Sequence, residues 1–112
     1  MDLVMDLTKT GLDMFFKTYQ VKSLNFLWDT QNPRSSRQVW NHVNNEMAEG
    51  ISRASIINFL NASVENGLLN YVETTGKGGY RRLYSSILSR SETSIFLSEK
   101  VKNRLQTLKT TS

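Results

Sequence analysis

The sequence predicts a mainly α chain carrying one small β-hairpin. Three observations predict it. Apolar residues recur three and four apart over most of the chain, the spacing of helical stripes. After Gly67 that period gives way to two runs rich in Tyr, Val, Leu and Ile, at 68–74 and 80–87, around the cluster Gly76-Lys77-Gly78-Gly79. Finally, the 112 residues are 38% apolar and 21% charged, which allows one modest core and argues against wholesale disorder. The chain is therefore read as a single domain over 1–112.

Each element has its own signature. Residues 1–20 are expected to form an N-terminal helix. Val4, Leu7, Leu12, Phe15, Phe16 and Tyr19 keep the helical spacing, Asp2 and Asp6 suit the helix dipole, and Gly11 weakens the middle. Residues 23–30 read as a short second helix capped by Ser23, with Leu24, Leu27 and Trp28 inward. Pro33 ends it, because the residue before proline avoids the helical region. Residues 36–47 read as a third helix, capped by Ser35 or Ser36, with Val39, Trp40, Val43 and Met47 inward. Gly50 supplies a tight exit, and Ser52 restarts helix at once.

In that fourth helix, over 52–66, Ile56, Phe59, Leu60, Ser63 and Val64 take one side. Ala54, Ser55, Asn58, Asn61, Ala62 and Glu65 take the other, and Gly67 is the stop signal. The hairpin follows directly. A last helix over 91–109, capped by Ser91, carries the stripe Leu97, Val101, Leu105 and Leu108. Two helices joined by a turn of about four residues and followed by a hairpin make a winged helix-turn-helix. The predicted architecture is that unit over 22–90, with additional helices at 1–20 and 91–109.

Charge is distributed unevenly along this order. Residues 1–73 hold six Lys and Arg against eight Asp and Glu. Residues 74–91 hold Lys77, Arg81, Arg82 and Arg90 with no acid, and residues 92–112 hold four bases against two acids. The net +4 is thus concentrated on the hairpin and the tail, a local positive patch suited to phosphate. No Cys is present, which excludes disulfides, zinc fingers, iron–sulfur clusters and thiol catalysis and is the usual state of a cytoplasmic protein. His42 is the only histidine, so no multi-His metal site is available, and neither metal nor cofactor is expected. No apolar stretch fits a membrane span or a signal-peptide core. Gly76-Lys77-Gly78-Gly79 is not a phosphate loop, because strand rather than helix follows it. Glu46 and Glu49 have no electrophile or metal partner in view, and an enzyme is not expected.

The outward side of the fourth helix has the chemistry of a groove reader. Ser52 and Ser55 are short donors, Arg53 reaches phosphate or guanine, and Asn58 can pair bidentately with adenine. Ala54 lies on the same side, and Ser36 and Arg37 open the preceding helix. On the hairpin, Lys77 sits among glycines that allow close backbone approach, with Tyr80, Arg81 and Arg82 behind it. Strand alternation puts Tyr80, Arg82 and Tyr84 on one face and Arg81, Leu83 and Ser85 on the other, so at most one of the two arginines points straight at a duplex. The expected partner is double-stranded DNA. A homodimer is also expected, paired through Leu7, Phe15, Phe16 and Tyr19 and through Leu97, Val101, Leu105 and Leu108, because one small core leaves those stripes uncovered.

The run Leu27-Trp28, then Ser36-x-x-Val39, then Ser52-x-x-Ser55-Ile56-x-x-Phe59-Leu60, resembles the penicillinase-repressor and copper-responsive repressor family. So do Val64-Glu65-Asn66-Gly67-Leu68-Leu69 and the later Tyr84. The likeness spans about residues 22–92, and the related multiple-antibiotic-resistance regulators share most of these motifs. It implies a winged-helix dimer that represses promoters. Ala54 and Ala62 stand where the family often has Lys and Arg, so a different operator is expected. The N-terminal helix looks more like the dimerising helix of the second family, and no metal-sensing or proteolysis site carries over. The leading expectation is a sequence-specific repressor. The alternatives are a protein-interaction module and a ligand-responsive regulator with a pocket at the dimer interface lined by Phe15, Phe16 and Tyr19.

Overall fold

The N-terminal apolar stripe does not run as one helix. In the computed structural model, which describes residues 4–76 and 79–109, Gly11 adopts φ +60° and only Gly11–Met14 form a short 3₁₀ turn. Upstream, Asp6 accepts from the Thr8 amide at 2.9 Å and from its hydroxyl at 2.6 Å, a local bond that competes with helix. Those two bonds hold the Asp6 carboxyl below its ordinary pKa, the hydroxyl contributing most. Asp2, expected in the first turn, lies outside the described residues.

Helix begins instead at α1, Thr18–Thr30, which takes in Tyr19 and the short second helix. Ser23 is therefore not a cap. It is buried inside α1, and its hydroxyl donates to the Tyr19 carbonyl at 2.8 Å. Gln31 ends α1 in the left-handed region at φ +58°, two residues before Pro33.

Among the described residues three more α-helices and one antiparallel sheet follow. Strand β1 is the pair Arg34–Ser35, α2 spans Ser36–Glu46 and α3 spans Arg53–Glu65. Strands β2, Leu69–Gly76, and β3, Gly79–Ser86, pair in the register Tyr71 with Tyr84, Glu73 with Arg82 and Thr75 with Tyr80. β1 adds to the other edge of β3, Ser35 facing Leu83, giving the order β1-β3-β2. Helix α4 spans Arg90–Gln106 and starts one residue before the expected position, capped by Ser89 rather than Ser91. Ser89 and Glu92 exchange bonds in a capping box, as Ser35 and Gln38 do at α2.

The core sits where α1, α2 and α3 meet the inner end of the sheet. Leu24, Leu27, Val39, Val43, Ile56, Phe59, Leu60, Leu68, Leu69 and Tyr84 are buried together. Trp28 and Trp40 pack against them half-buried and use their ring N–H groups as ties. Trp28 donates to the Leu88 carbonyl at 3.0 Å, which fastens the end of the hairpin to α1. His42 lies on the surface of α2, stacked on Phe26 at 4.3 Å and 3.2 Å from Glu46. Among the described residues no helix is long and apolar enough to cross a membrane.

Two residues expected at a dimer interface belong to this core. Phe16 is 5% exposed and packs edge-on against Phe59, and Leu97 is 2% exposed. Phe15 and Tyr19 are half-buried against the same cluster. Of the two end stripes, Leu7, Leu105 and Leu108 stay open, at 78%, 53% and 67% exposure.

Candidate nucleic-acid interface

The segment between α2 and α3 is short and tied at three points. Gly50 turns the chain at φ +72° and its amide donates to the Met47 carbonyl at 3.0 Å. The Ile51 amide donates to Asn44 Oδ1 at 2.9 Å, and Trp40 Nε1 donates to the Ile51 carbonyl at 2.7 Å. Asn44 and Trp40 therefore set the angle at which α3 leaves α2. Neither role shows in the sequence, where Trp40 reads only as core.

Ser52 caps α3, its hydroxyl accepting from the Ser55 amide at 3.0 Å. Its oxygen also lies 2.8 Å from the Ser55 hydroxyl. The two hydroxyls expected to face phosphate are thus partly satisfied by each other, although Ser52 remains exposed. Arg53, also exposed, rests its guanidinium over the Trp40 ring at 5.9 Å. Residues 54, 58, 61 and 65 recur four, three and four apart and so share one face of α3. Ala54 and Asn58 are exposed on that face, and exposed Glu65 closes its far end with a negative charge. The N-terminal half of this face carries no acid. Ser36 and Arg37, at the start of α2, are half-buried and exposed respectively.

Asn61 departs from its expected place among the outward residues. Its Oδ1 accepts from the Tyr84 hydroxyl at 2.6 Å and from Arg82 Nη1 at 3.1 Å, so it joins α3 to the hairpin. Arg82 also lies over the Tyr71 ring at 4.2 Å. Burial pushes the Tyr84 phenol above its ordinary pKa, against the opposing pull of Arg82. Strand alternation holds: Tyr84 and Arg82 face α3, with Tyr80 next on that face and exposed, while Arg81 is exposed on the other. Lys77 lies outside the described residues.

The structure thus joins Asn61, Tyr84, Arg82 and Tyr71 in one run of contacts between α3 and the hairpin, with Asn58 on the same helix face as Asn61, while Arg53 rests instead on Trp40 of α2. Among the described residues no group of three or more His, Asp or Glu side chains could hold a metal ion. A second concavity lies away from this face. Two adjoining clefts of about 640 and 530 Å³ share Met5, Phe15, Val101 and Leu105 as walls between the N-terminal segment and α4. No family model, no curated protein and no solved structure matches the chain.

Proposed function

We propose that this chain is a winged-helix regulator that binds double-stranded DNA in a sequence-specific way, as a dimer, and acts as a repressor. The observation that carries the reading is a single juxtaposition. Helix α3, exposed at Arg53, Ala54 and Asn58, is tied through Asn61 to a hairpin, 69–86, that holds Lys77, Arg81 and Arg82 against the single acid Glu73. A major groove is wide enough for an α-helix, and a charged β-ribbon beside that helix can reach the bordering phosphates.

Roles divide by chemistry. Asn58 is the base reader, since an exposed carboxamide pairs bidentately with adenine. Arg53, Arg37, Arg81, Arg82 and Lys77 are the phosphate anchors. Ser52, Ser55 and the α3 N-terminus add neutral donors toward the backbone. Tyr80 offers a ring and a hydroxyl to sugar and phosphate. A repressor needs only to occlude a promoter, which a small dimer can do unaided.

Dimerisation is supported by the exposed apolar residues at the two ends, Leu7, Leu105 and Leu108, on a chain whose own core does not cover them. The clefts between the N-terminal segment and α4 favour one second reading, an effector-responsive regulator, with Met5 and Phe15 rather than buried Phe16 as the lining.

Selection of bound sequences from a random DNA pool tests the main reading. Recovery of an inverted repeat is the expected result. Failure to retain any duplex at low salt would leave a protein-interaction module as the better account.

A further inference from the structure

Two arginines stand side by side on β3, and the structure holds them differently. Arg81 is exposed on the outer face of the hairpin, with no tie to another side chain among the described residues. Arg82 is held twice. One guanidinium N–H donates to Asn61 Oδ1 at 3.1 Å, and the plane lies over Tyr71 at 4.2 Å. The Tyr84 hydroxyl donates to the same Oδ1 at 2.6 Å, which fixes the carboxamide so that its oxygen, not its nitrogen, faces the arginine.

The residue doing the holding is neutral. Glu73 is the cross-strand neighbour of Arg82, yet no carboxylate among the described residues is within ion-pair distance of its guanidinium. Arg82 therefore keeps its full charge while losing much of its rotamer freedom. An arginine has five N–H donors in a rigid fork, and the bond to Asn61 uses one. Asn61 shares a helix face with Asn58, so the remaining donors lie at the edge of the surface that would read bases. A side chain ordered before binding has less entropy to lose on contact.

We infer that Arg82 is a preset phosphate fork at the crease between α3 and the hairpin, and that Asn61 is its positioning residue, with Tyr71 and Tyr84 as supports. Arg81 supplies general charge only. This assignment rests on the DNA-binding reading above.

The test compares Arg82→Lys, Arg81→Lys, Asn61→Asp and Asn61→Ala with the parent chain. Binding to a random-sequence duplex and to the duplex recovered by selection is measured across a salt series, and folding is checked by thermal melting. Lysine keeps the charge but loses the fork and the stack. Arg82→Lys should therefore lose about tenfold more affinity than Arg81→Lys, the worth of roughly one charge-assisted hydrogen bond. Asn61→Asp preserves an acceptor for Tyr84 and Arg82 and so should melt no lower than the parent. Its carboxylate neutralises Arg82, so the salt slope should shrink by about one per subunit. Asn61→Ala leaves the charge and frees the side chain, so affinity should fall while the slope stays.

Equal losses in the two lysine variants overturn the assignment and leave the DNA reading intact. So does an Asn61→Asp chain with the parent's slope. If the parent chain binds neither duplex at low salt, the DNA reading fails and Arg82 with it.

Discussion

A methyl group added at Gly50 meets the Asn44 side-chain oxygen at 2.8 Å, on backbone already at φ +72°. That oxygen also accepts the Ile51 amide, so it cannot retreat without breaking the bond that ends the turn. Gly50→Ala is expected to destabilise the fold by about 1–3 kcal/mol, through backbone strain and the contact together. Denaturant midpoints measure it, and an unchanged midpoint would mean that the turn relaxes freely. Asn58 is the opposite kind of residue, exposed and without a side-chain partner among the described residues. Asn58→Ala should leave the midpoint alone and relax base preference at one position of the selected site, at a cost of about 1–3 kcal/mol. Uniform weakening across all sequences would instead make Asn58 a backbone contact.

The start of α4 ties stability to pH through one carboxylate. The Ser89 amide donates to Glu92 Oε1 at 2.9 Å, and that bond, then the one with the Ser89 side chain, holds the Glu92 carboxyl below its ordinary pKa. The unfolded chain lacks both bonds and takes up the proton more readily. Its contribution is therefore present above the ordinary carboxylate range and lost as pH falls through the depressed folded value. Glu92→Gln, which can still cap but cannot titrate, should flatten the acid limb of a melting-temperature profile; an unaltered limb would place the titration elsewhere. Caps of this kind explain how much of the molecule was legible. Ser35 and Ser52, each followed by a regular apolar stripe, mark α2 and α3, and the switch to period two marks the hairpin. The N-terminal stretch has helical spacing and acids placed for a helix dipole, yet Gly11 and the Asp6–Thr8 turn prefer other conformations. Strand β1 has two residues, too few to show any alternation. Asn61 looked like a solvated helix residue because its partner Tyr84 is 23 positions away, and no local pattern encodes that contact.

At the scale of the whole molecule, the proposed dimer and the proposed electrostatics can be separated by one substitution. Leu105 is half exposed on α4, walls both clefts, and contributes little to the monomer's core. A glutamate there should leave the circular dichroism and melting of the monomer nearly unchanged while opposing any apolar contact with a second copy. Displacing counterions from two subunits, at roughly two to four phosphates each, gives a log–log dependence of affinity on salt with slope of about −4 to −7. A monomer neutralises half as many phosphates, so Leu105→Glu should bring the slope to about half that value. The loss of affinity should be larger at the selected inverted repeat than on random duplex, because only the repeat engages both copies at once. Sedimentation of parent and variant supplies the independent readout of mass. If the variant sediments as a monomer yet keeps the parent's slope and its preference for the repeat, then α4 pairs the chains but does not arrange them on DNA. The two-fold contact would then have to lie in the α2, α3 and hairpin unit itself.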